Sequence, residues 1–394
     1  MPLTFRSVLF RLHWLLGLSA GLVLALVGLT GALMSYEEAI TAAIDSDRAV
    51  VAVVERPRLS PEALVARLEA QRPGLRVNAL TLSGDPAASP RARFVYDAAT
   101  GARPPSVYLD PYDGTERGEA RAETAFSTIR NLHRWLLLPG EGKGWGRTVT
   151  GTCAIGLLVF LATGLYLRWP KLHTWRVWLK PNLARPGRPR WWSLHAVAGT
   201  WLLPVYAVIA LSGLWWSFDA YRAGATWLLT GRAPEAKPGR VLGRKGPEGP
   251  LALDRAWAAF KAGEGREAAL AIVTLPGPDA TAIRIRYLAA ASDHPKARNE
   301  ATYDPATGAR LAGSLYVDKA LGQRMADNML EVHRGRFFGG PVAALFFAAA
   351  LLMPVFSATG LTLYVLRRRA GRRRMQARGV EGRGAYAGLR GTGS

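Results

Sequence analysis

The chain has 394 residues, 49% of them hydrophobic, and a formal net charge of +22. That excess of Lys and Arg would suit a nucleic-acid binder. The apolar residues, however, fall in runs too long for an ordinary soluble domain, and the charge is segregated between those runs. Cys153 is the single cysteine, which excludes disulfides, cysteine-ligated Fe–S clusters and covalent attachment through C-x-x-C-H.

Four stretches reach the roughly 20 apolar residues that cross a bilayer: 9–34, 148–168, 194–217 and 341–366. The first follows Arg6 and Arg11, as a secretory signal would. Its apolar run exceeds the about 7–15 residues of an h-region and no A-x-A-like site closes it, so it reads as a retained anchor. Segment 168–191 carries Arg168, Lys171, Arg176, Lys180, Arg185, Arg188 and Arg190 without an acid, and RRRAGRRR opens the tail at 367–374. These segments share one side of a four-span chain, so the positive-inside rule places them and both termini in the cytoplasm. The charge then serves topology and contact with anionic lipid rather than nucleic acid. Trp145, Trp169, Trp175, Trp178, Trp191, Trp192, Trp215 and Trp216 stand at or near span ends, where indole prefers the headgroup layer.

The fold expected is an α-helical integral membrane protein with four transmembrane helices and two α+β extracytoplasmic modules. Its segments are 1–34 (cytoplasmic N-terminus and first span), 35–147 (first module), 148–168 (second span), 169–193 (basic loop), 194–217 (third span), 218–340 (second module), 341–366 (fourth span) and 367–394 (basic tail). The modules echo one another. YLDPYDGTERG (108–118) and TYDPATGARLAG (302–313) both read as a strand ending in a D-P-x-x-G hairpin turn. VYDAATGARP (95–104) is a partial echo. SPEALVARLEAQRPG before the first turn is a Ser-capped helix with Pro at its first position, and DRAWAAFKAGEGRE (254–267) takes that part in the second.

The spans repeat as well. His13 precedes Thr30-Gly31 and His195 precedes Ser212-Gly213 at the same His-to-Gly offset. NLHRW (131–135) leads to ATGLYLRW (162–169), and EVHRG (331–335) leads to ATGLTLYVLRRR (358–369). The internal duplication therefore supplies two histidines at the cytoplasmic level, His13 and His195, and two at the outer level, His133 and His333. The levels lie roughly 27 Å apart along a helix, so pairs form within a level. His173 and His294 read as ordinary surface residues.

Neutral imidazole suits Fe, Cu and Zn. A zinc site wants three or four ligands, often with carboxylate or Cys, and no carboxylate accompanies His13 or His195. Two imidazoles and nothing else fit iron already held by a porphyrin. Gly31 and Gly213 sit at the outer helix ends near His133 and His333; Gly164 and Gly360 sit at the inner ends near His13 and His195. They either clear room for a macrocycle or allow close helix packing. Arg134 and Arg334 follow the outer histidines and either pair with haem propionates or snorkel to the interface.

RLHWLLG, NLHRWLLLPGEGKGWGR, ATGLYLRWP, SLHAVAGTW and VHRGRFFGG…ATGLTLYV resemble the PepSY-associated transmembrane helix proteins of bacterial inner membranes. That family includes iron-regulated membrane proteins and haem-containing ferric-siderophore reductases. The resemblance covers nearly the whole chain. It implies two b haems on His13, His133, His195 and His333, and electrons moving outward to a periplasmic ferric siderophore. The third span reads SLHAV rather than His-Arg, which keeps the ligand and removes a propionate partner. GEGKGWG (140–146) follows no strand and is no phosphate loop, so the donor is a quinol, a flavin or a partner reductase. The competing expectation is a membrane-anchored PepSY sensing or peptidase-regulating module without redox activity. A transporter of iron or haem is disfavoured, because the spans lack acids and a broken-helix signature.

Overall fold

The computed structural model describes residues 4–96, 103–169, 173–233, 251–277, 282–292, 294 and 296–390. The echo at 95–104 and the start of the basic loop, at 170–172, lie largely outside them. In chain order, α1 (Phe5–Ser35) is followed by α2 (Glu37–Ile44), α3 (Ser46–Ala49) and α4 (Pro61–Gln71). Strands β1 (Val77–Ser83), β2 (Arg91–Phe94), β3 (Val107–Leu109) and β4 (Glu116–Glu119) come next, then α5 (Arg121–Trp135) and α6 (Trp145–Arg168). After α7 (Trp175–Leu179), α8 (Arg188–Ser217), α9 (Asp219–Thr230) and α10 (Leu253–Ala262), the second strand set is β5 (Ala268–Thr274), β6 (Ile283–Ala289), β7 (Asn299–Tyr303) and β8 (Arg310–Ser314). Helices α11 (Leu321–Asp327), α12 (Met329–His333) and α13 (Gly340–Arg390) close the chain. The chain forms two compact units, one of residues 1–33, 131–219 and 343–394, the other of 34–130 and 220–342.

The first unit holds the spans. Its long apolar helices cover Phe5–Ser35, Trp145–Arg168, Arg188–Ser217 and Gly340–Arg373. Each starts earlier than its apolar run, because a helix satisfies its own backbone and continues into polar sequence at no hydrogen-bonding cost. The third gains a turn through Arg188 and Pro189 at its N-terminus, and the fourth runs on through the basic tail to Arg390. Small residues and hydroxyls join the helices. Gly28 of α1 lies against Met353 and the Ala350 carbonyl of α13, Ser357 donates to the Gly21 carbonyl at 2.7 Å, and Tyr206 of α8 donates to the Ala349 carbonyl at 2.7 Å. Trp145, Trp169, Trp175, Trp191 and Trp192 are exposed, as interfacial indoles should be. Trp215 is buried and is a packing residue instead.

In the second unit the strands of the two segments share one sheet. Its eight strands form one antiparallel sheet in the order β4-β3-β2-β1-β5-β6-β7-β8. β1 and β5 pair from Ala79↔Thr274 to Ser83↔Leu270, fusing the segments. Apart, β1 and β5 would each be an open edge; paired, they remove both. One core fills from both segments: Leu64 and Leu68 of α4 and Ala256 and Phe260 of α10 cover Leu80, Phe94, Val273, Ile285 and Tyr303 of the sheet. The two helices cap each other. Glu62 N–H donates to Asp254 Oδ1 at 3.0 Å, and Asp254 N–H to Glu62 Oε2 at 3.4 Å, placing each carboxylate at the positive end of the other helix. Ser60 caps α4 by accepting from Ala63 N–H. The two D-P-x-x-G turns are alike: Asp110 and Asp304 accept from backbone N–H groups two residues on, and Gly114 and Gly308 have φ of 72° and 73°.

If the sheet is one cooperative body, Leu80→Asp should expose both segments together, because an unpaired carboxylate in the shared core costs several kcal/mol, on the order of the unit's stability. Limited proteolysis with fragment masses checks this. Cleavage confined to residues before 130 would mean that the second segment stands alone.

Candidate functional site

Within the spanning unit, His13 of α1 and His195 of α8 come together, with ring centres 6.5 Å apart and planes at 79°. Each sits in the same cradle. His13 Nδ1 is 2.8 Å from Thr163 Oγ1 and His195 Nδ1 is 2.8 Å from Thr359 Oγ1. Phe160 and Phe356 meet the rings edge-on, both at 5.3 Å. Gly164 and Gly360 lie beside the Cε1 edges at 3.4 and 3.8 Å from where a Cβ would stand.

The hydroxyls decide the chemistry. Thr163 donates its one proton to the Val159 carbonyl at 2.7 Å, and Thr359 donates to Val355 at 2.8 Å. Each hydroxyl then has only lone pairs for the imidazole, so Nδ1 carries the proton and donates. This network assigns the tautomer, and it leaves Nε2 with a free lone pair, the form that ligates metal. Two imidazoles 6.5 Å apart, each with Nε2 left free, would be able to hold the iron of a porphyrin, which would supply one-electron exchange there. Among the described residues no cluster of three or more His, Cys, Asp or Glu occurs, so the two imidazoles stand without a third protein ligand.

His133, near the end of α5, repeats the arrangement at the other end of α1. Thr30 Oγ1 donates to the Leu26 carbonyl at 2.8 Å and lies 3.0 Å from His133 Nδ1. Gly31 is tighter than its counterparts, with 3.1 Å between a notional Cβ and His133 Cε1. Thr30 follows His13 by 17 residues (30 − 13), about 26 Å of helix rise. Gly31 thus makes room for the imidazole itself, while Gly164 and Gly360 leave space for a Cβ in ordinary contact. Ser212, beside Gly213, back-bonds to the Val208 carbonyl at 2.5 Å as the threonines do.

The Gly-rich loop after His133 is built to hold it. Leu136 and Leu137 take φ of 57° and 56°, a left-handed conformation costing about 1–2 kcal/mol per residue. A side chain on Gly146 would collide with the Trp135 carbonyl, and one on Gly144 with that of Pro139. This close backbone approach clamps the end of α5 to the start of α6, where Thr150 donates to the Arg134 carbonyl at 2.8 Å.

His333 ends α12 in the second unit. Arg334 beside it is buried and faces acids, 3.3 Å from Glu37 and 3.8 Å from Glu38. Arg130 also bonds Glu37, Arg336 bonds Glu38 at 2.7 Å, and Lys296 lies 3.6 Å from it. Burial pushes the Glu38 carboxyl up, but the hydrogen bond and charge of Arg336, with Lys296, outweigh it and hold Glu38 below the usual carboxylate range. His294, expected at the surface, is buried. Its Nδ1 accepts from Lys296 N–H at 3.2 Å, its Nε2 lies 3.0 Å from the Tyr316 hydroxyl, and Phe337 packs on the ring. The polar sequence around it, SDHPKAR (292–298), gave no sign of the aromatics that cover His294. His173 is exposed beside Trp169 and Trp178. The signal that would have found Phe160 and Phe356 is the shared F-x-A-T-G at 160–164 and 356–360.

Four membrane-length apolar helices with histidines held between them define a multi-pass membrane protein. Residues 10–367 match the PepSY-associated TM region, and the chain belongs to that family. No curated protein matches it.

Thr163→Val or Thr359→Val keeps the shape and removes the acceptor for Nδ1. Either should weaken iron porphyrin binding at this pair about 10–100-fold, read by haem titration of purified protein; undiminished affinity would mean that the hydroxyl does not hold the ligand. Alanine at Gly31 should displace the adjacent imidazole, whose Cε1 lies 3.1 Å from the added Cβ, while alanine at Gly164 or Gly360, at 3.4 and 3.8 Å, should leave it nearly unmoved; histidine ring NMR shifts of the three variants check that order.

Proposed function

We propose that the chain is a di-haem b-type electron conduit of a bacterial inner membrane, an oxidoreductase that reduces periplasmic ferric siderophores and releases Fe(II). The observation that carries this reading is the His13–His195 pair, each ring held through Nδ1 by a hydroxyl whose proton is spent elsewhere. His13 and His195 hold the inner haem; His133 and His333, equivalent to each other in an internally duplicated chain, hold the outer one. Haem so ligated supplies reversible one-electron exchange between Fe(III) and Fe(II), tuned by its axial ligands and burial. The protein's part is to fix the ligating tautomer, keep water from the inner pair with Phe160 and Phe356, and set the two levels apart along α1. Electrons enter from a quinol, a flavin or a reductase at the cytoplasmic side. They leave to the ferric chelate outside, where reduction weakens binding by hard oxygen donors.

The orientation rests on the basic segments: 168–191 and the chain after 366 face the cytoplasm with both termini, and 35–147 and 218–340 face the periplasm. A side chain with the positive charge of Arg134 favours anionic groups near His133.

Purified protein should show a low-spin bis-histidine spectrum with two haems per chain. His195→Ala should remove mainly one of them and His133→Ala mainly the other. Dithionite-reduced protein should be reoxidised by ferric siderophores with Fe(II) trapped by a chelator, and His133→Ala should slow that step while the inner haem still reduces. Protein whose four single His→Ala variants all keep the haem content and spectrum of the parent would instead be an anchored sensing or peptidase-regulating module.

A further inference from the structure

The face of the eight-stranded sheet away from α4 and α10 carries a charged arrangement that the haem sites do not use. Strand side chains alternate between faces, so the core residues fix what lies opposite them. The register gives one row of Arg93, Ala79, Thr274 and Arg284, and a second of Arg91, Thr81, Ile272, Arg286 and Glu300. Two arginine pairs, on β2 and β6, thus flank a neutral floor on β1 and β5, with three strand spacings, about 14 Å, between their backbones. The pairs are the R-A-R of 91–93 and the R-I-R of 284–286, one from each segment. Only the β1–β5 seam brings them to one surface.

Their charges converge. Burial first, then the charges of Arg103 and Arg91, hold the Arg93 guanidinium below its ordinary value. Burial, then Arg284 and Arg298, lower that of Arg286 to about 10, and Arg93 itself contributes across the seam. The carboxylates acting on Arg93 and Arg286 are Glu123 and Glu300, while Arg298 is also offset by Glu331 and Glu38. Glu123 already accepts from Ser106 N–H at 3.0 Å, and Glu300 stands 4.0 Å from Arg284. Meanwhile the Nε groups of Arg93, Arg103, Arg286 and Arg298 and the Thr274 hydroxyl are buried without a hydrogen-bond partner among the described residues. Unspent donors on crowded like charges are destabilising unless an anion completes them, and planar guanidinium forks match carboxylates. The side chains of Arg284 and Glu300 remain 40% and 39% exposed, so solutes reach this face.

We infer that the arginine-flanked face of the sheet binds a small polycarboxylate anion, and that the iron chelate this protein takes is a negatively charged ferric carboxylate complex. The second clause rests on the reductase reading; the first does not. Lipid phosphate offers related oxyanion chemistry, and the test separates the two sources.

The experiment is calorimetric titration of the haem-bearing full chain in non-ionic detergent with gallium(III) citrate, a redox-inert stand-in for the ferric complex. Binding should weaken steadily with added salt, fall about tenfold or more in Arg286→Gln and Arg93→Gln, and be restored only in part in Arg286→Lys, which keeps the charge and loses the planar fork. A neutral gallium hydroxamate should bind far more weakly. Because the variants relieve repulsion, Arg286→Gln should raise the thermal midpoint of the anion-free protein while weakening binding, a pairing that a purely structural arginine would not give. Citrate binding equal in parent and Gln variants would overturn the inference, and so would Arg286-dependent binding of phosphatidylglycerol micelles without any of gallium citrate. Reduced protein that no ferric chelate reoxidises, with gallium citrate still bound, would sink the reductase reading and leave the anion site standing.

Discussion

A threonine hydroxyl has one proton, and three threonines that stand beside histidines give it to the carbonyl one helical turn back. Thr30, Thr163 and Thr359 each do so and then face the Nδ1 of a histidine from another helix. Within an apolar bundle there is no water to offer an alternative partner, so the tautomer, the ring orientation and the direction of the free Nε2 follow from that one constraint. It also decides which helices must touch. α1 meets α6 through His13 and Thr163, α8 meets α13 through His195 and Thr359, and α5 meets α1 through His133 and Thr30. The glycine after Thr30 serves the same end, since a methyl there would crowd the imidazole that the hydroxyl holds; after Thr163 and Thr359 a methyl would only touch the ring.

Backbone strain near His133 fits this picture. Two left-handed leucines and two glycines packed on carbonyl oxygens cost free energy that a loose loop would not. They make a rigid link from α5 to α6, and the histidine just before it is presented to Thr30 with little freedom. The three cradles therefore differ in how they are built: two lie wholly within long spanning helices, while the third needs a clamped loop.

In the sheet unit, the dominant constraint is the pairing of β1 with β5. It removes two open edges, merges two small cores into one, and lets each helix N-terminus take a carboxylate from the other. It also places two arginine pairs on one face at the expense of mutual repulsion. Fold stability alone would not favour crowding Arg93 and Arg286 with Arg91, Arg103, Arg284 and Arg298. Retaining buried guanidinium donors there is the mark of a surface arranged for a ligand.

The spans, the basic segments beside them and the repeated placing of four histidines were legible in the sequence because each depends on local composition or fixed spacing along a helix. Apolar length sets a span, and 1.5 Å per residue sets the separation of the histidine levels. The D-P-x-x-G turns and the Ser60 cap were legible for the same reason, since their hydrogen bonds close within a few residues. Partners distant in the chain were not. That Thr163 rather than a carboxylate holds His13, that Phe160 and Phe356 wall the pair, and that Tyr316 and Phe337 bury His294 depend on helices and loops meeting in space. The β1–β5 seam joins strands nearly two hundred residues apart, and no periodicity within either strand encodes it. Sequence therefore determined which histidines repeat and how far apart along a helix they stand; tertiary structure decided their tautomer, their neighbours and the sheet face on which the arginines gather, because hydrogen bonds and charges act through space rather than along the chain.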